Sequence, residues 1–216
     1  MLAMVTSSTE IERKFSVDAD TPLPDLASAG LRGGPPVVHD LDATYLDTPE
    51  LSLTANRITL RRRTGGTDAG WHLKLPGGGA ARREVHAPLT EIGTDDLGAQ
   101  VPVEFGTEIG SLVGDQPLRP VAILSTTRTE YEIRPDSGAG MALLCDDVVR
   151  ATGIDPVSGQ RFENTWREWE VELAEGEESL LDRIETELRA AGAGPAASAS
   201  KLARAVAPVL QARAAG

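Results

Sequence analysis

The run EIERKF between Glu10 and Phe15 sets two carboxylates and an ammonium at alternate positions. In an extended strand Glu10, Glu12 and Lys14 share one face, while Ile11, Arg13 and Phe15 share the other. The same division recurs along the chain. Arg57, Thr59, Arg61 and Arg63 alternate in 57–63, His72 and Lys74 in 71–75, and Arg82, Glu84 and His86 in 82–86. Thr126, Arg128, Glu130, Glu132 and Arg134 alternate in 126–134, and Trp166, Glu168, Glu170 and Glu172 in 166–173. The opposite faces carry mostly apolar or aromatic residues such as Leu60, Trp71, Leu73, Ile133, Trp169 and Val171. One strand of this kind is what a half-solvated antiparallel sheet shows. Repetition with Arg and Glu dominant points further, because the guanidinium fork suits phosphate oxygens.

The signs are unevenly distributed. Arg57, Arg61, Arg63, Lys74 and Arg82 make the strands between 57 and 83 cationic, whereas Glu10, Glu12, Glu168, Glu170 and Glu172 make the first and last long strands anionic. If the sheet curls so that those two strands approach, carboxylates crowd opposite a basic wall. Crowded carboxylates repel unless a cation joins them, and hard oxygen ligands select Mg2+ or Mn2+. A basic wall beside such a metal site describes a pocket for a polyanion, most economically a chain of phosphates. Closure into a barrel also explains the charged faces, which then line a water-filled lumen.

These faces need strands to carry them. Strand patterns occupy 10–17, 37–46, 56–63, 71–75, 81–88, 121–134, 141–149 and 161–173, separated by Gly-, Pro- and Asp-rich turns at 63–70, 75–80 and 134–140. Helical spacing is predicted for 90–114, through Ile92, Leu97, Val101, Phe105, Ile109 and Leu112, with Pro102 and several glycines against it. It is predicted again for 177–194, through Leu180, Leu181, Ile184 and Leu188, and from Lys201 to Ala212. The expected fold class is α+β, an antiparallel sheet with helices, in a single domain over residues 1–216.

Composition narrows the function. A net charge of −12 argues against duplex nucleic acid as a partner of the general surface. The lone Cys145 forms no internal disulfide and fits a reducing compartment. The start MLAMVTSSTE lacks a basic n-region and a long apolar core, and no stretch has the ~18 apolar residues of a membrane span. The expected location is the cytoplasm, with no membrane partner, and a homodimer is left open.

The motifs resemble those of the CYTH superfamily, the triphosphate tunnel metalloenzymes. EIERK resembles its ExExK signature, and YLDT (45–48), LRRR (60–63), LKLP around Lys74, RREVH around Arg82, TTR ending at Arg128, CDD (145–147), EWEVEL (168–173) and SKLARA with Lys201 follow in family order over about residues 8–207. The resemblance implies an eight-stranded antiparallel barrel forming a tunnel with helices packed outside. It implies that Lys14, Arg61, Arg63, Lys74, Arg82, Arg128 and Lys201 bind a triphosphate, and that Glu10, Glu12, Asp146, Glu170 and Glu172 bind one or two Mg2+ or Mn2+ ions. Glu84 and Glu168 become orienting neighbours. Glu170 and Lys14 are the catalytic candidates, although the general base is left between Glu170 and a hydroxide made at the metal.

Two departures stand out. His86 occupies the place of a second acid and reads as a solvated rim residue, and Asn56 stands where a left-handed glycine is common. Trp71, Trp169 and Tyr131 fall on apolar faces and read as packing, Cys145 as an inert buried thiol, and Tyr45, Asp47 and Thr48 as turn structure. The activity expected is metal-dependent hydrolysis of inorganic tripolyphosphate. A class IV adenylate cyclase, a thiamine triphosphatase and a non-catalytic polyphosphate- or nucleotide-binding module are the alternatives. At 4% aromatic residues the sequence offers no evident stacking platform for a base, which favours the inorganic substrate. Relatives often continue into a CHAD domain, whereas this chain ends at Gly216.

Overall fold

A computed structural model describes residues 5–77, 82–89, 96–138 and 140–215. The chain opens with β1 (Thr6–Glu10) and β2 (Glu12–Val17), then a 3-10 turn at Ala27–Ala29, β3 (Leu31–Gly33), β4 (Val37–Asp47), α1 (Ser52–Ala55), β5 (Thr59–Thr64), β6 (Gly70–Pro76) and β7 (Arg82–Pro88). After 3-10 turns at Gly98–Gln100 and Val103–Phe105 come α2 (Gly106–Val113), β8 (Arg119–Pro135), β9 (Met141–Ile154), β10 (Arg161–Glu175), α3 (Ser179–Ala190), β11 (Gly194–Pro195) and α4 (Lys201–Ala215).

All strand pairings are antiparallel, in the order β1-β7-β6-β5-β4-β8-β9-β10-β2-β11, with β3 beside β8. Setting aside the two-residue β11, the two ends of the path are β1 and β2, which are consecutive in sequence. β1 pairs with β7 and β2 with β10, and Ile11 between them carries the chain from one edge to the other. Counting β1 and β2 as one broken strand gives the eight-stranded barrel architecture, with β3 and β11 as short additions.

The apolar faces explain where the helices sit. Phe15, Leu144, Trp169 and Val171 pack beneath Leu181, Ile184 and Leu188 of α3. Leu60, Trp71, Leu73 and Val85 pack beneath Phe105 and Ile109. Both helices lie outside the barrel, as expected. α4 does not: its Leu202, Ala205 and Val206 rest on Ala43, Tyr45, Leu124, Val149 and Ala151, the inward-facing set, so α4 closes one end of the lumen. Gly153 permits this, since a Cβ there would stand 2.2 Å from the Ala205 carbonyl oxygen.

The helix predicted over 90–114 is not continuous. Ile92 lies outside the described residues, and from Leu97 the chain makes two 3-10 turns around Pro102 before α2 begins at Gly106. Proline removes a donor and restricts the residue before it, so the apolar residues reach their core from short turns. The left-handed residue ahead of β5 is Arg57 (φ 58°), not Asn56 (φ −96°), and Leu51 (φ 61°) turns left-handed before α1. At the end of β4, Asp47 accepts hydrogen bonds from the Thr48, Leu53 and Thr54 backbone N–H groups and from the Thr54 hydroxyl, which bears out its structural reading.

Candidate functional site

The strands project charged side chains into one cavity enclosing about 850 Å³ of non-atom space, its mouth included. Its wall includes Glu10, Glu12, Lys14, Arg61, Arg63, Lys74, Arg82, Glu84, Arg128, Glu170, Glu172 and Lys201. Alternation on β1, β2, β5, β6, β7, β8 and β10 brings these residues together, as the sequence leads one to expect. Lys201 arrives differently, from the first turn of α4. A cation there opposes the helix dipole, so its position is explained by the acids it faces rather than by helix stability.

One side of the lumen is a dense ionic network. Lys201 Nζ stands 2.8 Å from Asp147, 2.6 Å from Glu168 and 2.7 Å from Glu170. Arg128 donates in a fork to Asp147 at 2.8 and 2.7 Å and to Glu170 at 2.8 Å, while Lys14 bonds Glu170 and, at 3.0 Å, Glu12. Burial alone would raise the Glu170 and Asp147 carboxyls, but these cations outweigh it and hold both below the usual range, Glu170 far below. Burial likewise opposes charge on Lys201, yet the three acids lift it well above the ordinary lysine value.

A second group of carboxylates is less well neutralised. Glu172 is pushed up to about 7, first by burial and then by Glu10, with Glu12 and Glu84 adding repulsion and Lys74 pulling the other way. No ion pair to Glu172 exists among the described residues. Burial and a hydrogen bond with Glu84 raise Glu10, despite its bond from Lys74. The tightest acid set, Asp147, Glu168 and Glu170, has ligand atoms within 4.8 Å of one another, but Lys14, Arg128 and Lys201 already satisfy it. Lys74 bonds Glu10 and Lys14 bonds Glu12, so of these crowded carboxylates Glu172 alone has no ion pair among the described residues, and oxygen donors of this kind could hold a divalent cation.

The opposite wall is cationic. Arg61 donates to the Tyr45 hydroxyl at 3.4 Å, and although burial opposes it, Arg61, Lys201 and Arg63 draw that hydroxyl below its ordinary value. Arg63, paired with Asp68, is brought down to about 9 by burial and by Arg61 and Arg128, and remains a cation at neutral pH. Arg82 lies at the mouth and donates to the Arg57 carbonyl at 2.8 Å. His72 bonds Glu84 and the Asp68 carbonyl at 3.0 Å each, and burial with Arg61 and Arg63 keeps its ring neutral.

The CYTH domain family matches residues 8–206. The chain belongs to this family. Two uncharacterised Mycobacterium tuberculosis proteins, from strains CDC 1551 / Oshkosh and ATCC 25618 / H37Rv, are each 42% identical over 207 residues, which is 90% of this chain. The match spans 39% of the length of those relatives. A crystal structure of a proposed adenylate cyclase from Bacillus halodurans superposes with TM-score 0.59 at 19% identity, over 92% of this chain and 97% of its own. A Hippeastrum protein, a proposed adenylyl cyclase with a dominant triphosphatase activity, gives 0.54 at 18%, over 92% and 96%. At such identities these two establish the shared CYTH barrel fold.

One expected ligand of the CYTH lumen is misplaced by one residue. Asp146 points outward, where Arg167 holds it in a fork at 2.8 and 2.7 Å. Asp147, fully buried, takes the inward position. The run MALLCDDVV has apolar residues on both faces, so alternation does not choose between the two aspartates. The signal lay in strand pairing, since Trp169 stands opposite Asp146 while Glu168 stands opposite Asp147. His86 is also not a solvated rim residue. Its ring lies 4.7 Å from His72, its Nε2 is enclosed without a hydrogen-bond partner, and a Cβ on Gly70 would stand 2.2 Å from that atom. Trp71 and Trp169 belong to apolar cores and Tyr131 packs against one. Burial pushes the Cys145 thiol up to about 12, in keeping with an inert role.

Proposed function

We propose that this chain is a divalent-metal-dependent triphosphatase that hydrolyses inorganic tripolyphosphate or a related triphosphate inside the lumen. The supporting observation is a single cavity wall on which Arg61, Arg63, Lys74 and Arg128 with Lys14 and Lys201 supply positive charge, while Glu172, crowded by Glu10 and Glu12, has no ion pair among the described residues. Mg2+ or Mn2+, held by those three glutamates, would neutralise phosphate oxygens and acidify a bound water. Arg61 and Arg63, buried and close together, orient the phosphate chain and stabilise charge that develops on its oxygens. Arg82 receives the chain at the mouth. Lys14, Arg128 and Lys201 offer further donors once phosphate oxygens compete with their present carboxylate partners. Glu170, ionised and bound by three cations, is too weakly basic to take a proton from water, and we assign it to positioning those cations.

Organic triphosphates form the second reading. A more apolar hollow lined by Thr54, Ile58, Pro76, Ala199 and Ala203 adjoins the lumen at Arg82, Thr59 and Ser200, and it offers space for a group carried by the triphosphate. That neighbourhood supports ATP or thiamine triphosphate as alternatives, with cyclase chemistry in the case of ATP. A panel of tripolyphosphate, ATP and thiamine triphosphate with Mg2+ or Mn2+, assayed for phosphate and for cyclic AMP, separates these. Phosphate from tripolyphosphate is expected. Cyclic AMP from ATP without phosphate would overturn the hydrolase, and tight polyphosphate binding with no turnover would make the chain a binding module.

A further inference from the structure

Outward-pointing side chains over 40–44 of β4, 123–127 of β8 and 148–152 of β9 form a patch on which no helix sits among the described residues, whereas α3 covers Ile133 and Leu144 further along. Asp40, Asp42, Ser125, Thr127 and Arg150 are exposed there, with Ile123 40% and Val148 41% exposed. The pairing of the three strands aligns these residues in rows. Asp42, Ser125 and Arg150 make one row and Thr44, Ile123 and Thr152 the next, with β8 in the middle. Asp42 and Arg150 stand two strand spacings apart, about 10 Å, too far to neutralise each other directly. Neither has an ion-pair partner among the described residues.

We propose that this face joins two copies of the chain about a twofold axis running along β8. Rotation about that line keeps each row at its height and exchanges the β4 side for the β9 side. Asp42 of one copy then lies over Arg150 of the other, Arg150 lies over the second Asp42, and Ile123 meets its own copy on the axis. The alternative in-plane axis, across the strands, sets β4 over β4 and brings acid to acid, so charge selects the first arrangement. An unrelated partner would need a complementary row of its own, whereas a second copy supplies one by symmetry. One strand further out, Arg62 of β5 and Glu163 of β10 fall in the row of Ile123, and the same rotation matches them. Barrel curvature holds that outer pair apart, where it steers approach. Along β8 the free patch runs from Ile123 to Thr127, short of Tyr131 and Ile133, which pack in the core beneath α3.

Analytical ultracentrifugation of the 216-residue chain over a wide concentration range tests this. The wild type is expected to dimerise. Asp42→Arg and Arg150→Asp, each placing like charges together, are expected to weaken the dimer at least about tenfold, and the double exchange to restore it. At concentrations well below the dimer dissociation constant thermal midpoints should hardly change, because both side chains are exposed and outside the lumen. A wild type that stays monomeric throughout, a dimer indifferent to both single exchanges, or a double exchange that fails to restore association would each overturn the proposal.

Discussion

Glu172 is the lumen carboxylate with the most unanswered negative charge, and its behaviour with pH follows from that. Its carboxyl is held near 7 in the folded chain against an ordinary 4.5, so between those values the folded state binds a proton that the unfolded state has released. The stability contributed by this group is complete below about 4.5 and lost as pH rises toward 7. With a chelator present, the melting temperature of the wild type relative to Glu172→Gln should therefore fall as pH rises across that window; a constant difference would contradict the crowding. Mn2+ competes with that proton, so its affinity should tighten between pH 6 and 8. The same variant should bind Mn2+ at least about tenfold more weakly at the upper end, which calorimetry would read. Lys201→Met belongs to the same scale: it leaves Asp147 and Glu168 short of a cation and should raise KM for tripolyphosphate, whereas an unchanged KM would place Lys201 outside the substrate path. Most of these residues were legible in the sequence, because alternation alone assigns Glu10, Glu12, Arg61 and Glu170 to the charged side of apolar strands. Asp147 was not, since both faces of its strand are apolar and only the neighbouring strand fixes the register. Neither was His86, whose enclosure depends on the missing side chain of Gly70 across the sheet.

Elements decide how firmly those residues are held. α1 is four residues long and could not persist alone, yet it sets the turn that brings the chain into β5 and the lumen arginines. The buried Asp47 carboxylate holds it by accepting from three backbone N–H groups and one hydroxyl. Asp47→Ala strands those donors and is expected to cost about 2–4 kcal/mol in urea unfolding, and a loss below about 1 kcal/mol would show that water replaces the carboxylate. The short helix itself escaped sequence reading, for LSLTANR carries no helical stripe and its start depends on a left-handed Leu51. α3 was the easiest element to foresee, with Leu180, Leu181, Ile184 and Leu188 on one stripe, and all four are buried. α4 was foreseen as a helix but not as the element that closes the lumen, because a stripe of Leu202, Val206 and Leu210 says that a helix packs, not on which side of a sheet, and the structure buries Val209 in place of the exposed Leu210. Gly153 is the residue that admits it. Gly153→Val should push α4 away from β9 and shift Lys201, lowering turnover of tripolyphosphate more than it lowers the melting temperature; an unaltered KM would mean that Lys201 keeps its place.

At the scale of the whole molecule, the barrel gathers cations and acids in near balance inside a chain whose net charge is −12. The acid excess is therefore an exterior property, and it sets a repulsive background for an approaching polyanion that only the lumen mouth reverses. Arg82 stands at that mouth, while Arg61 and Arg63 lie deeper, where burial first and then neighbouring cations lower the tendency of Arg63 to hold its charge. An anion bound between them relieves that repulsion, so binding and folding are coupled: a ligand that prefers the folded state raises the melting temperature with its concentration. Tripolyphosphate, even without metal, should stabilise the chain more than sulfate does at matched ionic strength, since it can reach several lumen cations at once. The increment should shrink as salt screens the mouth, and shrink again in Arg61→Ala. Equal stabilisation by sulfate and tripolyphosphate, or an increment insensitive to Arg61→Ala, would locate the anion outside the barrel and leave its charged interior as structure alone.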